Sequence, residues 1–585
     1  MNEQVLSYLK SLKPKPHEDG RKLLQEGIKI GNSLEIGESR YFRESKYKTY
    51  LQYRKELKKQ HKVAWVIVLG LPSLEEELEG IMKLYEHGQK EGIGCDQILP
   101  IPSWLTGLPK DLHEKGLPGN SYVLSDYDDY VLHTEAAPIP ICFGDYHLSS
   151  PRALESTIFA LKSGSPIIGE LSQFKWDYTG FNNEYERMCD IVRALGVMAS
   201  KYDNEVLVNT YLDDGFAGYF TDIVSYISYA VLEHYICTKL CGARYYVSYA
   251  GLLSDVDTRC ASAMAIEKLL GTEDQPALHY LNNSTNLQWD HDIHGNYGIS
   301  VPEMLFAILV EQKYGIGMGI NVVAITEKIS VPTLQELKDI LAAGRRTEEQ
   351  ACQWLPYINF SKLEQMRDVM AEQGMRMFQS AMDGLKAADI DTEDPLEMML
   401  VLKAFNPIKF EQAFHPSTYG NDGEIVPFYP TAMSKQTQEL KNETITSIKE
   451  EFANSLAGKK IVLGSGDCHT YGLFFVDGVL SAMGAQIING GVDLSPVDAL
   501  DLADEENTKY IGISCHNGQA MEFGRQMIEI ANKRNREYTI FIGGKLNAIL
   551  PGQNEPTDIS SDLERIGIMA DNDIKNIIMR IASMS

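Results

Sequence analysis

The chain has no apolar run of about 18 residues or more, and a membrane-spanning helix requires one. It also has no Cys-x-x-Cys pair. Nine cysteines lie scattered over 585 residues, a reduced pattern that argues against both a disulfide framework and a zinc site. Cys237 and Cys241, four positions apart on an expected helix, read as buried thiols. Positive charge is scarce: 54 Lys and Arg stand against 81 Asp and Glu, for a net charge of −27. A phosphate backbone needs a positive face, so this balance excludes nucleic acid as a partner. The opening Met1-Asn2-Glu3-Gln4 lacks the basic-then-apolar order of a secretory signal. The expectation is a cytoplasmic protein with no membrane partner. Internal repeats and low-complexity tracts are absent, and the length is too great for one core, so two or three domains are expected.

What is present is concentrated near the C-terminus. Asp467-Cys468-His469-Thr470-Tyr471-Gly472 follows the apolar run Ile461-Val462-Leu463-Gly464, which places Asp-x-His-x-x-Gly at a strand-to-loop junction. Ser514 ends the run Ile511-Gly512-Ile513, and Gly543-Gly544 ends Phe541-Ile542. A loop histidine can offer a neutral imidazole nitrogen to a metal. Asp467 could hold the other ring nitrogen of His469, and Gly472 would admit a flat macrocycle close to the backbone. Ser514 and Gly543-Gly544 could line a slot beyond the carboxyl ends of their strands, where open α/β sheets bind ligands. These three elements resemble the cobalamin-binding domain that takes up B12 with its nucleotide tail displaced, with His469 as the lower axial ligand of cobalt.

Upstream, residues 1–62 read as polar helices and loops, with the basic residues of 40–62 on a solvated face. Between 63 and 430, short apolar runs alternate with helical patterns. Strands are expected at Gln97–Pro102, Pro138–Gly144, Ile167–Leu171, Val206–Leu212, Tyr245–Ala250, Ala277–Asn283, Ile320–Ile325 and Met399–Phe405. Helices are expected at Arg152–Lys162, Glu184–Met198, Ile223–Leu240 and Cys260–Leu270, and a long helical region, Leu334–Leu385, interrupts the last units. This α/β order predicts a (β/α)8 TIM barrel. Residues 431–458 read as a charged connector containing a helix, Lys435–Ser455. Residues 459–585 read as a doubly wound, flavodoxin-like cobalamin-binding domain of about five strands.

The chain as a whole resembles the glutamate mutase (methylaspartate mutase) family, with its large and small subunits fused. The C-terminal stretches that carry the likeness are Gly466-Asp467-Cys468-His469, Gly491-Val492-Asp493-Leu494-Ser495-Pro496 and Gly518-Gln519. In the barrel they are Ile98-Leu99-Pro100, Val208-Asn209, Gly242-Ala243-Arg244, Val331-Pro332-Thr333, Lys403-Ala404-Phe405 and Phe414-His415-Pro416-Ser417-Thr418-Tyr419. The resemblance implies adenosylcobalamin held between barrel and cofactor domain, homolysis of its cobalt–carbon bond, and radical rearrangement of a substrate shielded from water. It implies that Glu327 holds the adenosyl ribose, although the family's neighbouring lysine falls on Val323 here. Glu170 matches the carboxylate that meets a substrate amino group, Tyr178 a substrate-side tyrosine, and His147 the histidine of the family's Arg-His-Gly-Thr-Pro stretch. Gly518 and Gln519 join the cofactor contacts.

The departures concern arginine, whose bidentate fork suits carboxylates. Family arginine positions are occupied by Tyr146-His147-Leu148-Ser149-Ser150, by Trp104-Leu105-Thr106-Gly107-Leu108-Pro109-Lys110 and by Ser125-Asp126-Tyr127-Asp128-Asp129-Tyr130. His516 stands where the family has leucine. The expected activity is therefore a carbon-skeleton mutase acting on an amino acid or small acid other than glutamate. Three other readings stay open: an aminomutase-like enzyme on a different or carrier-bound substrate, a methyl-transfer protein, and a B12-binding regulator or degenerate mutase. The expected partner is a small amino-acid-like molecule; a homodimer and a reactivating chaperone also stay open.

Overall fold

The computed structural model describes all residues except 1–2, 16, 114–120, 179, 250–253, 285–287, 328–331, 418–424, 467–470, 492–493, 516–518, 545, 549–556, 572 and 585. Its first sheet holds β1 (Ala64–Leu69), β2 (Gln97–Pro100), β3 (Cys142–Phe143), β4 (Ile167–Ile168), β5 (Leu207–Tyr211), β6 (Tyr245–Tyr249), β7 (His279–Asn282) and β8 (Met318–Val322). The strand order is β2-β1-β8-β7-β6-β5-β4-β3, and every pair is parallel. An isolated parallel bridge, Ile98 to Ile141, spans the gap between β2 and β3. The expected eight-stranded barrel is thus present and nearly closed.

Strand alternation sorts the side chains. Trp65, Ile67 and Leu69 join the core beneath the surrounding helices. Val66 instead points inward with Cys142, Ile167, Leu207, Tyr246 and Leu278. The barrel's N-terminal end is plugged by the helix Tyr50–Lys59, which starts at the cap Thr49. Tyr50 Oη lies 2.9 Å from Tyr280 Oη. Arg54 Nη2 donates to the Gly317 carbonyl at 2.8 Å, and its Nη1 donates to the Tyr246 hydroxyl. The guanidinium carbon lies 4.8 Å from the Tyr280 ring centroid and 5.5 Å from that of Tyr246. Arg54 is 1 % exposed, which corrects its assignment to a solvated basic face. A single buried cation inside a basic stretch leaves no trace in composition.

Two other expectations are corrected. Met399–Phe405 is no strand; it lies largely in the helix Pro395–Ala404. Asp394 caps that helix by accepting from the Leu396 and Glu397 amides at 2.8 and 2.9 Å, and Pro395 suits its first turn. The eighth strand is instead β1, an apolar run absent from the expected strands. The region 334–385 does not interrupt the barrel. It follows β8 as the helices Leu334–Ala351 and Ser361–Ala387.

The chain leaving the barrel is clasped at Asp222. Its carboxylate accepts from the Phe428 amide at 2.6 Å and the Tyr429 amide at 3.1 Å, and lies 2.8 Å from His415 Nε2. The connector helix Ala432–Phe452 follows, capped by Thr431. Lys435 pairs with Asp255 of the barrel at 2.9 Å, while Ile448 and Phe452 pack into the core of the C-terminal sheet.

That sheet comprises β9 (Lys460–Ser465), β10 (Gln486–Gly491), β11 (Tyr510–Cys515) and β12 (Thr539–Gly544), with a hairpin of β13 (Asn547–Ala548) and β14 (Thr557–Asp558) outside it, and then β15 (Met569–Ala570). The order β10-β9-β11-β12-β15 is wholly parallel and is that of a doubly wound, flavodoxin-like sheet.

Replacing Arg54 with alanine strands buried carbonyl and phenol acceptors and opens a void. We expect a loss of about 3 kcal/mol from the barrel, read as an earlier urea-unfolding transition by tyrosine fluorescence; an unshifted transition would remove the plug from the account of stability.

Candidate functional site

The C-terminal sheet carries a slot at the carboxyl ends of its central strands. In register, Ser465 sits beside Ser514 and Ser514 beside Gly543, with Cys515 beside Gly544. Above them, between the sheet and the helices Tyr471–Ala482 and Ile574–Ser583, is a cavity of about 290 Å³ whose lining includes Leu463, Gly472, Ser514, Gly543, Gly544 and Asp571. Gly544 has φ +116°, and a Cβ there would lie 2.2 Å from the Cys515 carbonyl oxygen, so only glycine fits. Gly543 is different: the nearest atom to an added Cβ is the Asp571 carbonyl oxygen at 3.5 Å, an ordinary contact. The Ser514 carbonyl is held by the Gly466 amide at 2.9 Å. Four of the residues assigned from sequence to the cofactor, Gly472, Ser514, Gly543 and Gly544, therefore converge on one cavity. Gln519 lies apart from its lining, buried at the cap of the helix Ala520–Arg534. Asp467, His469, Gly518 and His516 lie outside the described residues.

The barrel offers a second concavity at the carboxyl end of its strands, where barrels of this kind place their chemistry. Six inward positions there are small or polar, Gly144, Gly169, Asn209, Ser248, Asn282 and Asn321, beside the apolar Val68 and Leu99 of the first two strands. A Cβ on Gly144 would sit 2.7 Å from Leu99 Cδ1 and 3.0 Å from Glu170 Oε1, so this glycine makes room for that carboxylate. Glu170 is 1 % exposed and accepts from Asn209 Nδ2. Asn209 Oδ1 in turn accepts from Ser248 Oγ at 2.8 Å. Asn321 Nδ2 donates to Asn282 Oδ1 at 3.4 Å.

One residue after Gly144, Asp145 accepts from Gln173 Nε2 at 2.8 Å, and burial pushes its carboxyl up to about 6. A second carboxyl, Glu233, sits behind the strands. It accepts from Thr210 Oγ1 at 2.5 Å, Ser172 Oγ at 3.0 Å and Tyr245 Oη at 3.0 Å. Thr210 and Ser172 adjoin Asn209 and the Glu170 loop, so this network fixes the two strand ends that bear the polar ring. Burial raises Glu233 to about 7, against the opposing effect of its hydroxyl donors.

Tyr178 belongs to an aromatic cluster over the mouth, with Trp104, Tyr146, Trp176 and Tyr219 contributed by the loops that follow β2 to β5. Its ring lies against Gly107, where a Cβ would come within 2.7 Å of Tyr178 Cε1. Burial raises its phenol above the ordinary value. His147 is placed differently. Its ring packs on Phe143 and edge-on to Tyr130, Nδ1 lies 2.6 Å from the Asp145 carbonyl, and burial lowers it to about 3. It is a neutral, buried ring that fixes the turn after β3. Glu327 sits half-buried on the turn after β8, its amide donating to the Ala324 carbonyl at 3.0 Å. The strand-end residues Asp145, Ser248, Asn282 and Asn321 were missed from sequence. The signal was available: polar residues recur at the inward-facing last position of successive apolar runs.

Residues 461–559 match the B12 binding domain family. A comparison with curated proteins finds no match. Among solved structures, a cobalamin-binding protein from Desulfitobacterium hafniense DCB-2 is similar at 18 % identity and TM-score 0.18, covering 38 % of this chain and 98 % of its own. A protein from Burkholderia cenocepacia J2315, described provisionally as a lyase/mutase, is similar at 10 % identity and TM-score 0.27, covering 54 % and 95 %. Neither likeness is close enough to inform fold or activity. The family match and the slot agree: the C-terminal sheet is a B12-binding domain, and it points to cobalamin-dependent activity. Its small-residue cradle suits a displaced nucleotide tail.

Two outcomes follow. Gly543→Leu should keep the fold yet fill the slot, weakening cobalamin binding by about 1–3 kcal/mol, tenfold or more, in a titration followed by visible absorbance; unchanged affinity would move the tail elsewhere. The folded Glu233 carboxyl titrates above its ordinary value of 4.5. Its contribution to stability is therefore complete below pH 4.5 and lost as pH rises through about 7. Glu233→Gln, neutral throughout, should flatten the fall in thermal midpoint across that window, and a slope equal to that of the parent protein would assign the titration to other groups.

Proposed function

We propose that the protein is an adenosylcobalamin-dependent mutase of the glutamate mutase type, built as a substrate barrel over residues 63–430, a connector over 431–458 and a cofactor domain over 459–585. The observation that carries this reading is the pairing of a B12-binding slot with a barrel whose inner rim is polar around a buried carboxylate. A barrel serving only as scaffold would fill that layer with branched apolar side chains.

Adenosylcobalamin, when bound, supplies a carbon-centred radical able to take an unactivated hydrogen. His469 would give its imidazole to the cobalt, and Asp467 would fix that ring's tautomer. Gly472, Ser514, Gly543 and Gly544 would line the tail's slot, with Gly518 as a further cofactor contact, while Gln519 stands apart at the cap of its helix. Glu327 meets the adenosyl ribose. Glu170, oriented by Asn209, binds the substrate's amino group. The aromatic cluster containing Tyr178 excludes water from the mouth. His147 positions the Asp145 turn instead of touching substrate.

The test is anaerobic incubation of the holoprotein with a pool of deuterated amines and amino acids, followed by mass analysis of deuterium in the cofactor's adenosyl group. Substrate-dependent exchange that His469→Gly abolishes supports the mutase. Tight cobalamin uptake with no exchange from any compound overturns it in favour of a B12-binding regulator.

A further inference from the structure

We infer that the substrate is a primary amine carrying no ionised carboxylate, such as an amine, an amino amide, or an aminoacyl ester or thioester. This rests on the proposed mutase reading and on three features of the barrel mouth.

First, the buried and partly buried cations described around the mouth already serve as staples. Arg152 donates from Nη1 to the Leu124 carbonyl at 3.1 Å and from Nη2 to the Ser125 carbonyl at 2.9 Å, and Nε meets Glu155 at 2.6 Å. Arg187 holds the carbonyls of Ser149 at 2.7 Å and Trp176 at 2.7 Å together with Glu184. Lys175 donates to the Lys403 carbonyl at 2.6 Å, and Lys403 returns to the Lys175 carbonyl at 2.7 Å and to Asp177 at 2.6 Å. Turning any of these toward a ligand would strip buried carbonyls of their donors, at a cost of about 1–3 kcal/mol each.

Second, the inner rim offers acceptors. Glu170 is a buried carboxylate, and the buried Asn321 Oδ1 faces the same interior with no hydrogen-bond partner among the described residues. An ammonium group, with three donors and no acceptor, fits such a set. Third, Asp145 follows Gly144, whose Cβ position lies 3.0 Å from Glu170 Oε1, and both carboxyls bear electrostatically on Cys142. A substrate carboxylate entering there would be a buried anion beside anions, with no described cation to meet it. The aromatic cluster above can cover an apolar or amide-bearing chain without charge.

The experiment is calorimetric titration of the cobalamin-loaded full-length protein with L-glutamate, L-glutamic acid diamide and n-butylamine, alongside Glu170→Gln. We expect the diamide and the amine to bind about tenfold or more tighter than glutamate, with that preference lost in the variant. Glutamate binding as tightly as the diamide would overturn the inference, as would an unaltered preference in Glu170→Gln. Cobalamin uptake is followed by absorbance in each sample. Failure to load cobalamin sinks the mutase reading, whereas normal loading with glutamate preferred sinks only the substrate class.

Discussion

Both concave sites depend on keeping bulk away from the carboxyl ends of parallel strands. At Gly544 the backbone of the neighbouring strand is so close that a methyl group would overlap its carbonyl. At Gly144 the same economy of volume admits the Glu170 carboxylate. Parallel sheets are normally buried on both faces and filled with branched side chains. Opening space at their ends therefore requires rigidity elsewhere, and this protein obtains it from the tyrosine–arginine plug at the barrel's far end and from the Glu233 network behind β5 and β6.

Charge follows the same division. Arg152, Arg187, Lys175 and Lys403 face backbone carbonyls and tie the loops after β2 to β4 into one cap. Carboxyl groups, by contrast, stand at the rim as Glu170 and Asp145 and behind the strands as Glu233, and burial holds Asp145 and Glu233 above their ordinary values. At the mouth the described cations are thus mechanical and the buried rim acceptor is a carboxylate, the reverse of a site built to grip dicarboxylates.

Local patterns revealed the sheet of the C-terminal domain, its strand-end serine and glycines, and most barrel strands, because apolar runs bounded by turns are fixed by burial on both faces. Met399–Phe405 misled because a short apolar run in a largely buried helix has no visible period, and the deciding signal was the upstream Asp394-Pro395 cap. Arg54 read as part of a solvated basic face because nothing local says that a helix will dock in a barrel's end. Glu170 was legible as a strand-end acid, while its partner Asn209 depended on register between β5 and its neighbours, a property of pairing and not of the run itself.

The clasp at Asp222 and the 21-residue helix beyond it have a further consequence. A flexible tether tolerates insertions, since only its mean span matters. A continuous helix transmits angle as well as distance: one added residue turns everything downstream by about 100° and advances it about 1.5 Å. Anchored at its root by Asp222 and packed at its end into the C-terminal core, the connector acts as a phase-setting shaft. Its length is a rotational coordinate, so indels here should be tolerated near multiples of whole turns and excluded between them.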